Sequence, residues 1–195
     1  MSWVSEQPRL QALAKSIDRA SVVAVKEGWF WETVAVLAPI FTFGGMSRRR
    51  FLTEFATTIG PVQAYPRSWS VERVMAVIPH EARHTRQARW FGLMLSPWLG
   101  LPLMAAAYCF LFFPVGFAWV RYRLELDADA FGWRWRLRHG ERILRVRERA
   151  DNFSRIVGSG AYGYPWPVLL VRRGFERKLR QVLAEDARRM ARLFR

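Results

Sequence analysis

The sequence lacks most of the signatures that would name a chemistry at once. It has a single cysteine, Cys109, so no internal disulfide can form and no CxxC pair is present. Cys109 lies inside an apolar run with no basic neighbour in sequence, and it reads as a small buried hydrophobe. No GxGxxG or P-loop pattern occurs, so no phosphate-cradling turn is indicated. There is no sequence repeat, no low-complexity segment and no recognisable nucleic-acid fold motif. A signal-peptide pattern is missing too, because Glu6, Pro8 and Arg9 interrupt any early apolar stretch. The expectation is synthesis in the cytoplasm, with a final location bound to a virion or other assembly, or at a membrane.

Acidic charge is also scarce. Asp and Glu total 16 against 31 Lys and Arg, a formal net charge of +15, and arginine far outnumbers lysine. Such a balance favours an anionic membrane surface, an acidic protein surface or, by charge alone, nucleic acid. A solvated basic face is the plainer alternative. Hydrophobic residues make up 51%, with 10 Trp and 14 Phe. Either the core is large, or part of the surface meets lipid or another protein. At 195 residues the chain suits one domain with its own core.

Two of the three histidines stand in the stretch His80-Glu81-Ala82-Arg83-His84, an H-E-x-x-H pattern. On a helix, His80 and His84 are one turn apart on the same face and can hold one Zn²⁺. Glu81 projects beside the metal, where it can take a proton from water. A catalytic zinc needs a third protein ligand and an open position. Downstream, Glu125-Leu126-Asp127-Ala128-Asp129 offers two carboxylates at i, i+4. Glu125 can be the third ligand, with Asp129 accepting a hydrogen bond from a ligand histidine. The reverse assignment, Asp129 as ligand with Glu125 behind it, stays open. So does a bland one, carboxylates that merely balance the many arginines. Asp127 lies off that face and suits a salt bridge to a nearby arginine.

The pair H-E-x-x-H plus E-x-x-A-D resembles the gluzincin zinc metallopeptidases, in particular the HtpX-like branch. The resemblance covers two short motifs and their spacing. It implies zinc, peptide hydrolysis, ligands His80, His84 and Glu125, and Glu81 as general base. A looser resemblance follows the order Thr57-Thr58-Ile59-Gly60, Pro66-x-x-Trp69, the HExxH helix, an apolar stretch, the acidic motif and Tyr162-Gly163-Tyr164-Pro165-Trp166-Pro167. It is similar to small uncharacterised metallopeptidases of bacteria and tailed phages. Gluzincins place a small sheet before the HExxH helix, whose edge strand can pair with an extended substrate. They also need a donor for the oxyanion, which Tyr162 or Tyr164 can supply. These aromatics can equally pack their loop on the core.

The expected fold is α+β, mostly α: a single zincin-like metallopeptidase domain over 1–195. A first helix is expected from Pro8 to about Lys26, and a second from Trp29 to about Ala38, where Pro39 limits it. Residues 51–65 are β-favouring and predict a small β-hairpin or sheet around Gly60-Pro61. Ser70 is a good N-cap for the HExxH helix, but Pro79 costs a backbone hydrogen bond, so that helix either begins near Pro79 or is kinked there. From Trp90 to Val120 no residue is charged. A single membrane crossing would put His84 and Glu125 about 30 Å apart. If they share a metal, the chain must go out and return, so an apolar helical hairpin is expected at about 90–120, either covered by protein or inserted in a membrane. A basic amphipathic helix is expected at about 168–194, with its apolar stripe packed on the domain.

The functional expectation is a zinc-dependent metallopeptidase acting on a protein or peptide substrate. The alternative is a non-catalytic structural or interaction component of a larger assembly, for example a phage virion protein that retains a zinc-binding fold.

Overall fold

A computed structural model describes residues 3–41, 46–92, 98, 100, 117–139, 146–158 and 168–193. The chain is mostly helical, with a small three-stranded sheet. A 3-10 turn at Trp3–Glu6 leads into α1 (Gln7–Ile17), whose Leu10 and Ala14 are buried. The helix stops eight residues or more before the expected end at Lys26. Asp18 turns the chain out, accepting a hydrogen bond on Oδ1 from Ala20 N (3.0 Å) and pairing with Arg89 of a later helix (2.8 Å). The β-branched run that follows forms β1 (Val22–Val25) instead, because its partner strand lies far along the chain.

Helix α2 (Trp29–Phe41) runs on through Pro39, past the expected end at Ala38. Residues 51–53, expected as the start of the β-favouring stretch, instead end α3 (Arg48–Thr53), capped by Ser47, whose side chain accepts from Arg50 N. Only then come β2 (Thr57–Ile59) and β3 (Val62–Tyr65), joined at Gly60, which has a positive φ of 58°. The strand order is β1-β3-β2: β1 is parallel to β3, and β2 is antiparallel to it. One face of the sheet, through Ile59, Val62 and Ala64, packs on Trp31, Ala35 and Ala38 of α2 and Phe51 of α3. The other, through Val23 and Tyr65, packs on α1 and on Val74 and Ile78 of the next helix.

That helix, α4 (Val71–Phe91), carries the HExxH residues without interruption. The Ser70 side chain caps it, accepting from Arg73 N. Pro79 has no N–H to donate into the helix ladder. One residue further along the opened turn, the Ala76 carbonyl accepts from the Arg136 guanidinium, through Nε at 3.1 Å and also through Nη2. Arg136 belongs to α5 (Phe117–Arg138), which lies alongside α4 and brings in the acidic motif. Helices α6 (Val146–Gly158) and α7 (Val168–Leu193) close the far side of α5. The apolar stripe of α7 (Val171, Phe175 and Leu179) is buried with Leu126, Trp133, Ala150 and Phe153. Each such side chain contributes about 1.5–3 kcal/mol on burial. Among the described residues no helix is long and apolar enough to cross a membrane. Most of the expected apolar hairpin, and the loop containing Tyr162, Tyr164 and Trp166, lie outside the described residues.

Candidate metal centre

Two helices build the site. Successive turns of α4 point His80 and His84 the same way, and α5 crosses them closely enough to add Glu125. His80 Nε2 and His84 Nε2 are 3.1 Å apart. Glu125 Oε2 lies 3.4 Å from the first and 3.5 Å from the second. These three side chains form a group that could hold a metal ion. Glu125, His84 and Glu81 are each about 6% exposed, so the group sits at the floor of the α4–α5 contact.

The neighbouring groups are arranged around those three. Asp129 Oδ1 is 3.5 Å from His80 Nδ1, on the ring edge away from Glu125. Its other oxygen, Oδ2, is buried without a hydrogen-bond partner among the described residues. Glu81 Oε2 accepts a 2.6 Å hydrogen bond from the Thr58 hydroxyl on β2. His84 Nδ1 meets Gln87 Oε1 at 2.8 Å. Asp127 is not in the cluster; it pairs with Arg83 at 2.7 Å.

The electrostatics are those of a site with surplus negative charge. Glu81, Glu125 and Asp129 are all buried near two imidazoles. Burial pushes the His80 pKa down, but contacts with Asp129 and Glu125 and the charges of Glu81 and Glu125 outweigh it and push the value up to about 10. Burial likewise opposes ionisation of Glu125, and the two histidines more than reverse this, holding its carboxyl well below the usual range. The same carboxylates that favour a charged His80 would favour a bound cation there.

Neither the protein-family models, the curated proteins nor the solved structures searched yield a match to this chain.

Of the residues picked out by sequence, His80, His84 and Glu125 are brought together, Glu81 and Asp129 lie beside them, and Tyr162 is outside the described residues. Sequence reasoning gave no role to Thr58 or Gln87. Thr58 stood in the Thr57-Thr58-Ile59-Gly60 segment, but its contact with Glu81 depends on how the sheet meets α4. Gln87 did carry a local signal: it is three residues after His84 and so shares its helix face.

Proposed function

We propose that the chain is a zinc-dependent metallopeptidase of the gluzincin kind, hydrolysing peptide bonds with Glu81 as general base. The observation that carries this reading is the spacing of the three donor atoms, 3.1, 3.4 and 3.5 Å. A tetrahedral zinc with donors at roughly 2.0–2.1 Å has donor–donor edges of about 3.3 Å. Two imidazole nitrogens and one carboxylate oxygen suit zinc, and three protein donors leave a fourth position open. Zinc held there would supply Lewis acidity to the attacking water and to the scissile carbonyl.

The chain's own residues then have distinct tasks. The Thr58 hydroxyl engages Oε2 of Glu81, which leaves Oε1 to take the proton of the attacking water. Glu81 afterwards returns a proton to the leaving amine. Asp129 orients His80 through Nδ1. Strand β2 pairs with β3 on one side, and among the described residues no strand pairs its other side. A peptide added there in extended form would run past Thr58 towards Glu81.

The test is hydrolysis of a fluorescence-quenched peptide library by the zinc-loaded wild type and by Glu81→Gln. The proposal expects cleavage by the wild type, and loss of cleavage with zinc retained in the variant. Equal cleavage by both proteins would contradict the assigned base.

One observation favours a second reading, a structural or interaction component of a larger assembly such as a phage particle. Trp29, Val36, Leu37 and Ile40 form an outward stripe on α2 and are 81%, 59%, 39% and 63% exposed. A stripe of this kind on a helix suits a covering partner or an anionic membrane surface. A zinc-loaded protein that cleaves nothing, and that is recovered only in a larger assembly, is what this reading requires.

A further inference from the structure

We propose that Gln87 fixes the tautomer of His84, and that Asp127 and the Leu124 carbonyl fix Gln87 in the orientation that does so. The inference concerns the same metal centre and rests on the peptidase reading for its functional meaning. The hydrogen-bond argument stands on its own atoms.

A glutamine amide has two ends of nearly the same shape and opposite chemistry: the oxygen only accepts and the nitrogen only donates. Here the nitrogen, Nε2, faces Leu124 O at 3.0 Å and Asp127 Oδ2 at 3.1 Å. A carbonyl and a carboxylate can only accept. Asp127 is the anionic partner of Arg83 at 2.7 Å and of Lys178 at 3.7 Å, so its oxygens accept. Flipping the amide would set Oε1 against two acceptor oxygens and lose both bonds. The amide therefore has one orientation, with Oε1 toward the histidine.

The rest follows from donor and acceptor roles. Oε1 can only accept, and it lies 2.8 Å from His84 Nδ1, so Nδ1 carries the hydrogen. The lone pair of a neutral His84 is then on Nε2, the nitrogen that faces His80 Nε2 and Glu125 Oε2. The opposite tautomer would put a hydrogen where the metal must bind. Gln87 is 8% exposed and His84 6%, so solvent is poorly placed to take over the bond. Helix α5 thus acts on the metal site twice, directly through Glu125 and indirectly through Asp127 and Gln87. The His80 ring is served by Asp129 from the same helix, so α5 sets the orientation of both ligand histidines.

The experiment uses the full chain labelled with ¹⁵N. Long-range ¹H–¹⁵N correlation of the histidine rings is recorded after metal removal, on neutral rings, with signals assigned through His80→Gln and His139→Gln. The Nδ1–H tautomer of His84 is expected; the Nε2–H tautomer in the wild type overturns the proposal. Zinc affinity is then measured by competition with a chromophoric chelator. Gln87→Met keeps the length and removes both polar ends, and should bind zinc about 10–100-fold more weakly. The exchanged pair Gln87→Glu with Asp127→Asn restores an acceptor for His84 and a donor at 127 but sets a carboxylate oxygen against Leu124 O, so it should recover only part of that loss. Unchanged affinity in Gln87→Met would overturn the relay. A wild type that binds no zinc would instead overturn the metal-centre reading, and the ring spectrum would still decide the tautomer.

Discussion

Gly132 of α5 lies directly against His80 of α4: a Cβ at position 132 would meet His80 N at 3.5 Å and His80 Cβ at 3.6 Å. Those are ordinary contact distances. An alanine fits there, and a branched side chain does not. The close approach is what lets a carboxylate from α5 reach two histidines on α4.

Gly132→Ala should therefore leave metal binding intact and raise stability by up to ~1 kcal/mol through helix propensity. Gly132→Val should push α5 away and weaken metal binding. Thermal unfolding of the metal-free protein and a chelator-competition titration check the two halves separately.

A second close contact between helices sits farther from the site. A Cβ at Gly174 of α7 would collide with the Tyr122 hydroxyl of α5. Gly174→Ala forces the Tyr122 hydroxyl to move and should be net destabilising by about 1 kcal/mol, overpacking outweighing the helix-propensity gain. Adding Tyr122→Phe should return part of that loss, so a double-mutant cycle by denaturant unfolding should show coupling between the two positions.

Lys26 gives a pH-dependent prediction. Its ammonium donates to Phe51 O, Phe55 O and Thr57 Oγ1 and lies 3.8 Å from the centre of the Phe51 ring. Burial lowers its pKa to about 7, with the charge of Glu81 pulling the other way. A folded-state pKa below the unfolded one means that the unfolded chain binds more protons between about pH 7 and pH 10.4. The Lys26 contribution to stability should therefore rise with pH through that window, by up to ~1.4 kcal/mol per pH unit, and be flat below it. Lys26→Met removes this term. The wild-type minus variant difference in unfolding free energy should grow as pH rises from 7 to 10; a difference independent of pH would contradict the assignment.

The parts of this molecule legible in the sequence are those set by short-range geometry. His80 and His84 share a helix face whatever the rest of the chain does, and the Ser70 cap marks the start of α4. Glu125 came from the second half of a motif pair, again a local pattern. The differences come from contacts distant in sequence and from helix ends. Val22–Val25 continues the apolar pattern of α1, and only pairing with Val62–Tyr65, some forty residues on, makes it a strand. Phe51–Thr53 has strand-like composition, but the Ser47 cap and the burial of Phe51 under α2 make it helix. Pro39 ends no helix, because the bond it forfeits is in the last turn of α2. The role of Thr58 was invisible for the same non-local reason: its partner Glu81 is 23 residues away on another element.

Thr58 can be tested directly. Thr58→Val removes the hydroxyl bound to Glu81 Oε2 and keeps the shape, and should lower kcat for peptide hydrolysis about 10-fold or more. Thr58→Ser keeps the hydroxyl and should retain most of the activity. Zinc content should be the same in all three proteins, since Thr58 touches no proposed ligand.

If His80, His84 and Glu125 form one metal site, elemental analysis of the purified protein will detect it. The wild type and Glu125→Ala are purified without chelators, reloaded with zinc and desalted. About one zinc per wild-type chain is expected, with loss or marked weakening of binding in the variant. No zinc in the wild type after reloading, or equal zinc in both proteins, would contradict it.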